Sequence, residues 1–139
     1  MISYTYELPF KLVNEKAYSN WVSAVILSED KQEGELNYIF CSDDYLLGIN
    51  KQYLNHDTLT DIISFDYSVG NVLQGDIFIS VERVKENAVD FSVSFDEELR
   101  RVMIHGVLHY CGYKDKTQDE ALLMRSKEQE KINMFHVEQ

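Results

Sequence analysis

The chain has 139 residues, the size of one domain, long enough to bury a core without disulfides or a second module. Hydrophobic residues make up 45% and charged residues 27%, with one Pro and six Gly, which excludes a disordered or fibrous chain. Its 24 acidic and 13 basic residues leave a net charge of −11, the wrong sign for a protein that grips nucleic acid non-specifically, so contact with RNA would need a local basic patch or a partner.

No apolar run approaches the roughly 20 residues of a bilayer span, and "MISYTYELPF" lacks the basic and long apolar regions of a signal peptide. Cys41 and Cys111 form neither a CxxC pattern nor a disulfide framework, in keeping with a reducing compartment. A soluble cytoplasmic protein is expected.

In chain order, strand-like alternation opens the sequence in "ISYTYE". A helix over about 14–28 follows, opened by Asn14. "ELNYIFC" (35–41) reads as a second strand, and Ser42 caps a helix over about 43–54. "DIISFDY" (61–67) and "GDIFIS" (75–80) supply two further strands rich in β-branched and aromatic residues. Three helices then follow without another strand, over about 81–90, 96–111 and 118–135. Ser94 with Glu97, and Thr117 with Glu120, stand at capping-box spacing at the last two. No repeat or linker divides the chain. Strands and helices alternating early, then helices alone, predict an α+β domain with a mixed four-stranded sheet and about five helices.

The helix over 96–111 carries His105 and His109. At about 100° per residue the two imidazoles sit about 40° apart on one face, one turn apart, within reach of a single ion. The stripe of Leu99, Val102, Met103, Gly106 and Tyr110 lies to one side, and Cys111 projects away as a packing residue. Gly112 is placed to end the helix in the left-handed region and turn the chain back, bringing Asp115 round to the histidines. Two imidazoles and a carboxylate leave a tetrahedral Zn²⁺ one open position, the arrangement of a catalytic site. HxxxH also occurs by chance on helices, so spacing alone leaves a buried helix with two polar edge residues as the alternative. A metallopeptidase helix reads HExxH, with the Glu as general base, and Gly106 stands at that position here.

Arg101, one turn before His105, falls on the same edge and could hold a phosphate beside a metal. An i,i+4 pair with Glu97 on a solvated face is the stronger of the two readings. Upstream, "NKQYLNHDTLTDIISFDY" and "QGDIFIS" place His56, Asp57, Thr60, Asp61, Ser64 and Asp76 at the ends of apolar runs. There they line a cleft or serve ordinary turn chemistry.

Taken together and in this order, "LNHDTLTDIISF", "GDIFIS" and "HGVLHYCGYKDK" resemble the YbeY family of bacterial endoribonucleases, the rRNA maturation factors, over about residues 36–125. The resemblance implies a zincin-like fold for residues 1–139 as a single YbeY-like metal-dependent hydrolase domain with one catalytic Zn²⁺ per chain. It also implies a role in 16S rRNA 3′-end maturation and ribosome quality control, with rRNA and the small ribosomal subunit as partners. The family's first two zinc ligands match His105 and His109. Its third is a histidine ending "GYDH", where this chain has Lys114 and Asp115, which makes Asp115 the substitute. The family's usual arginine in the "YLNHD" loop is Leu54 here, with His56 or Arg101 as the alternatives that would take over its part.

The expected chemistry is metal-assisted cleavage of single-stranded RNA, the ion lowering the pKa of water towards neutrality and polarising the phosphoryl oxygen. A zinc hydrolase of peptides or small amides, and a non-catalytic ribosome-assembly factor with a structural metal, are the alternatives. Basic residues near the site, among them Arg83, Arg101, Arg125 and Lys127, alternate with acidic ones, so weak binding to free RNA and targeting by the ribosome or a protein partner are expected.

Overall fold

In the computed structural model, residues 1–54 and 59–135 are described. The elements run β1 (Ile2–Tyr6), α1 (Glu15–Ser28), β2 (Gln32–Cys41), α2 (Asp43–Leu54), β3 (Ile62–Asp66), β4 (Val72–Ser80), α3 (Val81–Asp90), α4 (Phe95–Tyr110) and α5 (Gln118–Ile132). The sheet order is β1-β2-β4-β3. β1, β2 and β4 run parallel, and β3 is antiparallel on the edge beside β4. The α+β class with a mixed four-stranded sheet is as the sequence predicts.

Both inner strands begin earlier than their alternation suggests, at Gln32 and Val72 instead of Glu35 and Gly75. The reason is a register shift between Glu33 and Leu36 that interrupts the two-residue period of β2 where it pairs with β4. At the other end of the chain, α5 stops at Ile132 because Asn133 caps it, three residues short of the sequence expectation.

The caps are where the sequence places them. Asn14 accepts from the Ala17 amide at 3.1 Å, Ser94 from Glu97 at 3.1 Å, and Thr117 and Glu120 form a full capping box.

One face of the sheet carries the main core. Leu36, Tyr38, Phe40, Ile77 and Ile79 meet Leu99, Met103, Ile104 and Leu108 of α4, with Trp21, Val22, Val25 and Ile26 of α1 completing the layer. A smaller cluster of Cys41, Leu46 and Ile63, flanked by Phe65 and Phe78, packs α2 on the other face. Because α4 is buried along most of its length, its position against the sheet is strongly specified. Each fully buried Leu or Ile contributes about 1.5–3 kcal/mol. Polar ties add direction: the Tyr38 hydroxyl donates to the Met103 carbonyl at 2.9 Å, and the Tyr110 hydroxyl to the Phe65 carbonyl at 2.8 Å.

Gly106 lets α4 pack closely on the sheet. A Cβ there would stand 3.1 Å from Ile77 Cδ1 and 3.2 Å from Ile62 Cδ1. The position that a metallopeptidase gives to its general base is here given to helix–sheet packing, and a glutamate would have to enter the core.

Candidate metal centre

The end of α4 is a Schellman turn. The Gly112 amide donates to the His109 carbonyl at 3.0 Å and the Tyr113 amide to the Leu108 carbonyl at 3.1 Å, with Gly112 at φ +105°. This turn reverses the chain over the histidine edge and does two things for the site. It brings the Tyr113 carbonyl to His109 Nδ1 at 2.9 Å, and it carries Asp115 back so that its Oδ2 lies 3.2 Å from His105 Nε2 and 3.3 Å from His109 Nε2.

The second imidazole is fixed from another element. His105 Nδ1 donates to Glu128 Oε2 of α5 at 2.7 Å. Glu128 is only 3% exposed, and its other oxygen takes Arg101 Nη1 at 3.4 Å.

With each Nδ1–H committed to an oxygen, both Nε2 atoms present lone pairs. They lie 3.0 Å apart and face the Asp115 oxygen, so three acceptors converge on one point with no donor between them. Ligand atoms about 2.0–2.1 Å from a tetrahedral ion stand about 3.3–3.4 Å apart, close to the triangle of 3.0, 3.2 and 3.3 Å seen here. The residues therefore fit a divalent ion with N and O ligands. Burial pushes His105 down, but the Glu128 and Asp115 carboxylates outweigh it and hold its pKa above the usual value.

Around the triad lies a cleft of about 460 Å³ between α4, β3, α3 and α5. Thr60, Asp61 and Ser64 line it, as their places at the ends of apolar runs allow, whereas Asp76 faces Asn37, whose side-chain amide donates to it at 2.9 Å. Burial raises the pKa of Asp61 and of Glu98, partly offset by His105 for the first and by Arg101 for the second.

Arg101 lines the cleft but is buried, and its guanidinium is surrounded by acceptors. Gln129 Oε1 lies at 3.1 Å, Glu128 at 3.4 Å, and Glu97 and Glu98 at 3.7 Å each. The Glu97 pair read from the helix spacing is thus one contact of several. His56 and Asp57 lie outside the described residues. Leu54, the last residue of α2, is exposed. Cys111 packs against the core and its thiol is pushed up to about 11 by burial, apart from the three converging atoms.

Sequence reasoning missed Glu128. It stands in a helix rich in charged residues with no local mark of its role, and only the packing of α5 on α4 brings it to His105.

A family model described as "Endoribonuclease YbeY" matches residues 5–136. A protein of that name from Flavobacterium psychrophilum is 69% identical over 139 residues, covering 100% of this chain and 99% of its own length. Another from Christiangramia forsetii is 59% identical over 138 residues, covering 99% and 96%. Among solved structures, TM1509 from Thermotoga maritima superposes with a TM-score of 0.68 at 26% identity, over 97% of this chain and 89% of that one. The two-histidine edge of α4, the returning Asp115 and these similarities over almost the whole chain place the protein in the YbeY family of endoribonucleases.

Proposed function

We propose that residues 1–139 act as a single-domain, zinc-dependent endoribonuclease on single-stranded RNA, in 16S rRNA 3′-end maturation and ribosome quality control. In this reading His105, His109 and Asp115 hold one Zn²⁺ per chain. The observation that carries it is the convergence of three acceptor atoms with no donor among them. Zinc suits two imidazoles and a carboxylate with one position left open. When bound, the ion supplies Lewis acidity, lowering the pKa of water towards neutrality and polarising a phosphoryl oxygen.

The chain's own residues do the rest. Glu128 and the Tyr113 carbonyl keep both imidazoles in the tautomer that presents Nε2. Arg101, engaged by Glu128, steadies the carboxylate that holds His105. Gly106 offers no general base, which weighs against peptide hydrolysis. The names of the relatives supply the substrate class. The acidic surface supports targeting by the small ribosomal subunit or a protein partner over capture of free RNA.

Protein purified without added zinc is expected to contain one zinc per chain and to cut single-stranded RNA until a chelator is added. A His109→Ala protein that folds and cuts RNA at the parent rate would sink the catalytic reading. The product ends report the route: a 2′,3′-cyclic phosphate means that the ribose 2′-hydroxyl attacks, and a 5′-phosphate with a free 3′-hydroxyl means that water does.

A further inference from the structure

The cleft does not end at the triad. It follows α4 back from His109 and His105 through Arg101 to Glu98, seven residues and about 10 Å along the helix from His105. That far end is built differently from the metal end. Glu98 is 3% exposed, and its Oε1 has no hydrogen-bond partner among the described residues. Its nearest cation, Arg101 Nε, is 3.7 Å away, and the same guanidinium is already engaged by Gln129 and Glu128. Asp61 lies across the cleft and accepts from the Asn87 side-chain amide at 3.2 Å. At the rim the Phe91 ring is 52% exposed, with the Arg125 guanidinium 5.4 Å from its centroid.

A buried carboxylate oxygen without a donor costs free energy that a ligand bearing N–H groups would remove. Three ligand classes can be compared. A phosphate would meet two carboxylates and be repelled. A second metal ion would meet the Arg101 guanidinium and the donating Asn87 amide. A nucleobase is neutral, presents N–H donors on one edge and offers a flat face to Phe91, whose stacking on a base is sequence-tolerant. Of the four bases, guanine alone carries two adjacent donors, N1–H and N2–H, matched to carboxylate acceptors. Adenine and cytosine set one amine beside a ring acceptor, and uracil sets one N–H between two carbonyls.

We infer that Asp61, Asn87, Phe91, Glu98 and Arg125 form a nucleobase subsite that selects guanine in single-stranded RNA next to the cut. Glu98 and Asp61 accept from the Watson–Crick edge, and Phe91 stacks on the ring. The inference rests on the endoribonuclease reading for why RNA enters the cleft.

The test has a binding arm and a cleavage arm. The full-length protein with its metal is titrated with GMP, IMP, AMP, CMP and UMP up to millimolar concentration. Single-stranded oligonucleotides differing at one position, with G, inosine, A, C or U, are then cleaved in competition. GMP is expected to bind about tenfold tighter than AMP, CMP or UMP, with IMP between because it lacks the N2 amine. Glu98→Gln should bring that ratio close to one, at a metal content equal to the parent's. Phe91→Ala, at an exposed position that leaves folding intact, should weaken all five by about tenfold or more.

Equal binding of the nucleotides, no binding, or a Glu98→Gln protein that keeps the ratio and changes only in melting temperature would overturn the subsite. The two readings fail separately. RNA cutting with no preference at any position, together with unselective binding, removes the subsite and leaves the nuclease. Guanine-selective binding with no cutting of any RNA removes the nuclease and leaves the subsite.

Discussion

At the scale of single residues the site turns on Asp115 and Glu128. Asp115 reaches the two Nε2 atoms from a turn and not from the helix, and it is more exposed than either histidine. Asp115→Ala is expected to lose stoichiometric metal, and Asp115→His to retain it. Metal analysis of the two variants decides, and full metal in the alanine variant would put the third ligand elsewhere. Glu128→Gln keeps the shape of α5 but weakens the acceptor for His105 Nδ1, for an expected 10–100-fold loss of metal affinity in a competition titration. The raised pKa of His105 has a further consequence, because the metal displaces its proton. Affinity should climb from pH 6 through neutrality and level off only above the usual histidine range. A flat profile between pH 6 and 8 would contradict this.

At the scale of elements, α4 and the β3–β4 edge form one unit. Tyr110 donates from the last turn of α4 to the Phe65 carbonyl at 2.8 Å and to the Asp76 carbonyl at 3.2 Å. This contact exists because Gly75 has no side chain: a Cβ there would overlap both the Phe65 carbonyl oxygen and the Tyr110 hydroxyl. Gly75→Ala must therefore push α4 off the sheet or break the bond. A loss of about 1–3 kcal/mol is expected, read as a lower urea midpoint with unchanged slope. Metal affinity should fall with it, since the same movement shifts His109. A substitution tolerated without change in either measurement would show that the helix end is looser than the packing indicates.

At the scale of the whole molecule, α5 closes the structure over α1 and α4. The Trp21 indole donates to the Lys131 carbonyl at 2.7 Å, and the Lys131 ammonium, 2% exposed, lies 2.8 Å from Glu29. Burial alone would raise the Glu29 pKa, but hydrogen bonds from Lys131 and Tyr113 hold it below its usual value. A carboxylate depressed in the folded state adds stability above its unfolded pKa and loses it as pH falls through the folded one. Glu29 thus strengthens the protein at neutrality and contributes to its weakening below about pH 4.5. Lys131→Met removes a charged donor and should cost roughly 1.5–3 kcal/mol at pH 7 and much less at pH 3, measured by denaturant titration.

The pairing of basic residues also bears on partners. Arg83 is held by Asp43 and Glu86, Arg101 is buried among acceptors, and Lys127 is bound to Glu29 and Glu130. These three cations are held by neighbouring carboxylates, as the interleaved charges of the sequence imply. No helix among the described residues is long and apolar enough to cross a membrane.

The sequence by itself determined the elements, because caps at Asn14, Ser94 and Thr117 and the two hydrophobic periods are local properties. It also determined the pair His105 and His109, because both lie on one helix whose geometry needs no tertiary information. The turn at Gly112 belongs to the same class, since a glycine just past a helix end favours the positive φ that closes it. Tertiary structure decided whatever depends on two elements meeting. Glu128 comes to His105 only because α5 packs on α4, and Arg101 adds to its Glu97 pair a set of acceptors from α5. Gly106, read along the chain as a missing base, faces Ile77 and Ile62 of the sheet with no room for a larger side chain. Glu98, an ordinary first-turn acid in the sequence, becomes a buried oxygen without a donor only when the cleft closes around it. Periodicity is written within a helix, whereas distances between helices are set by how the core fills.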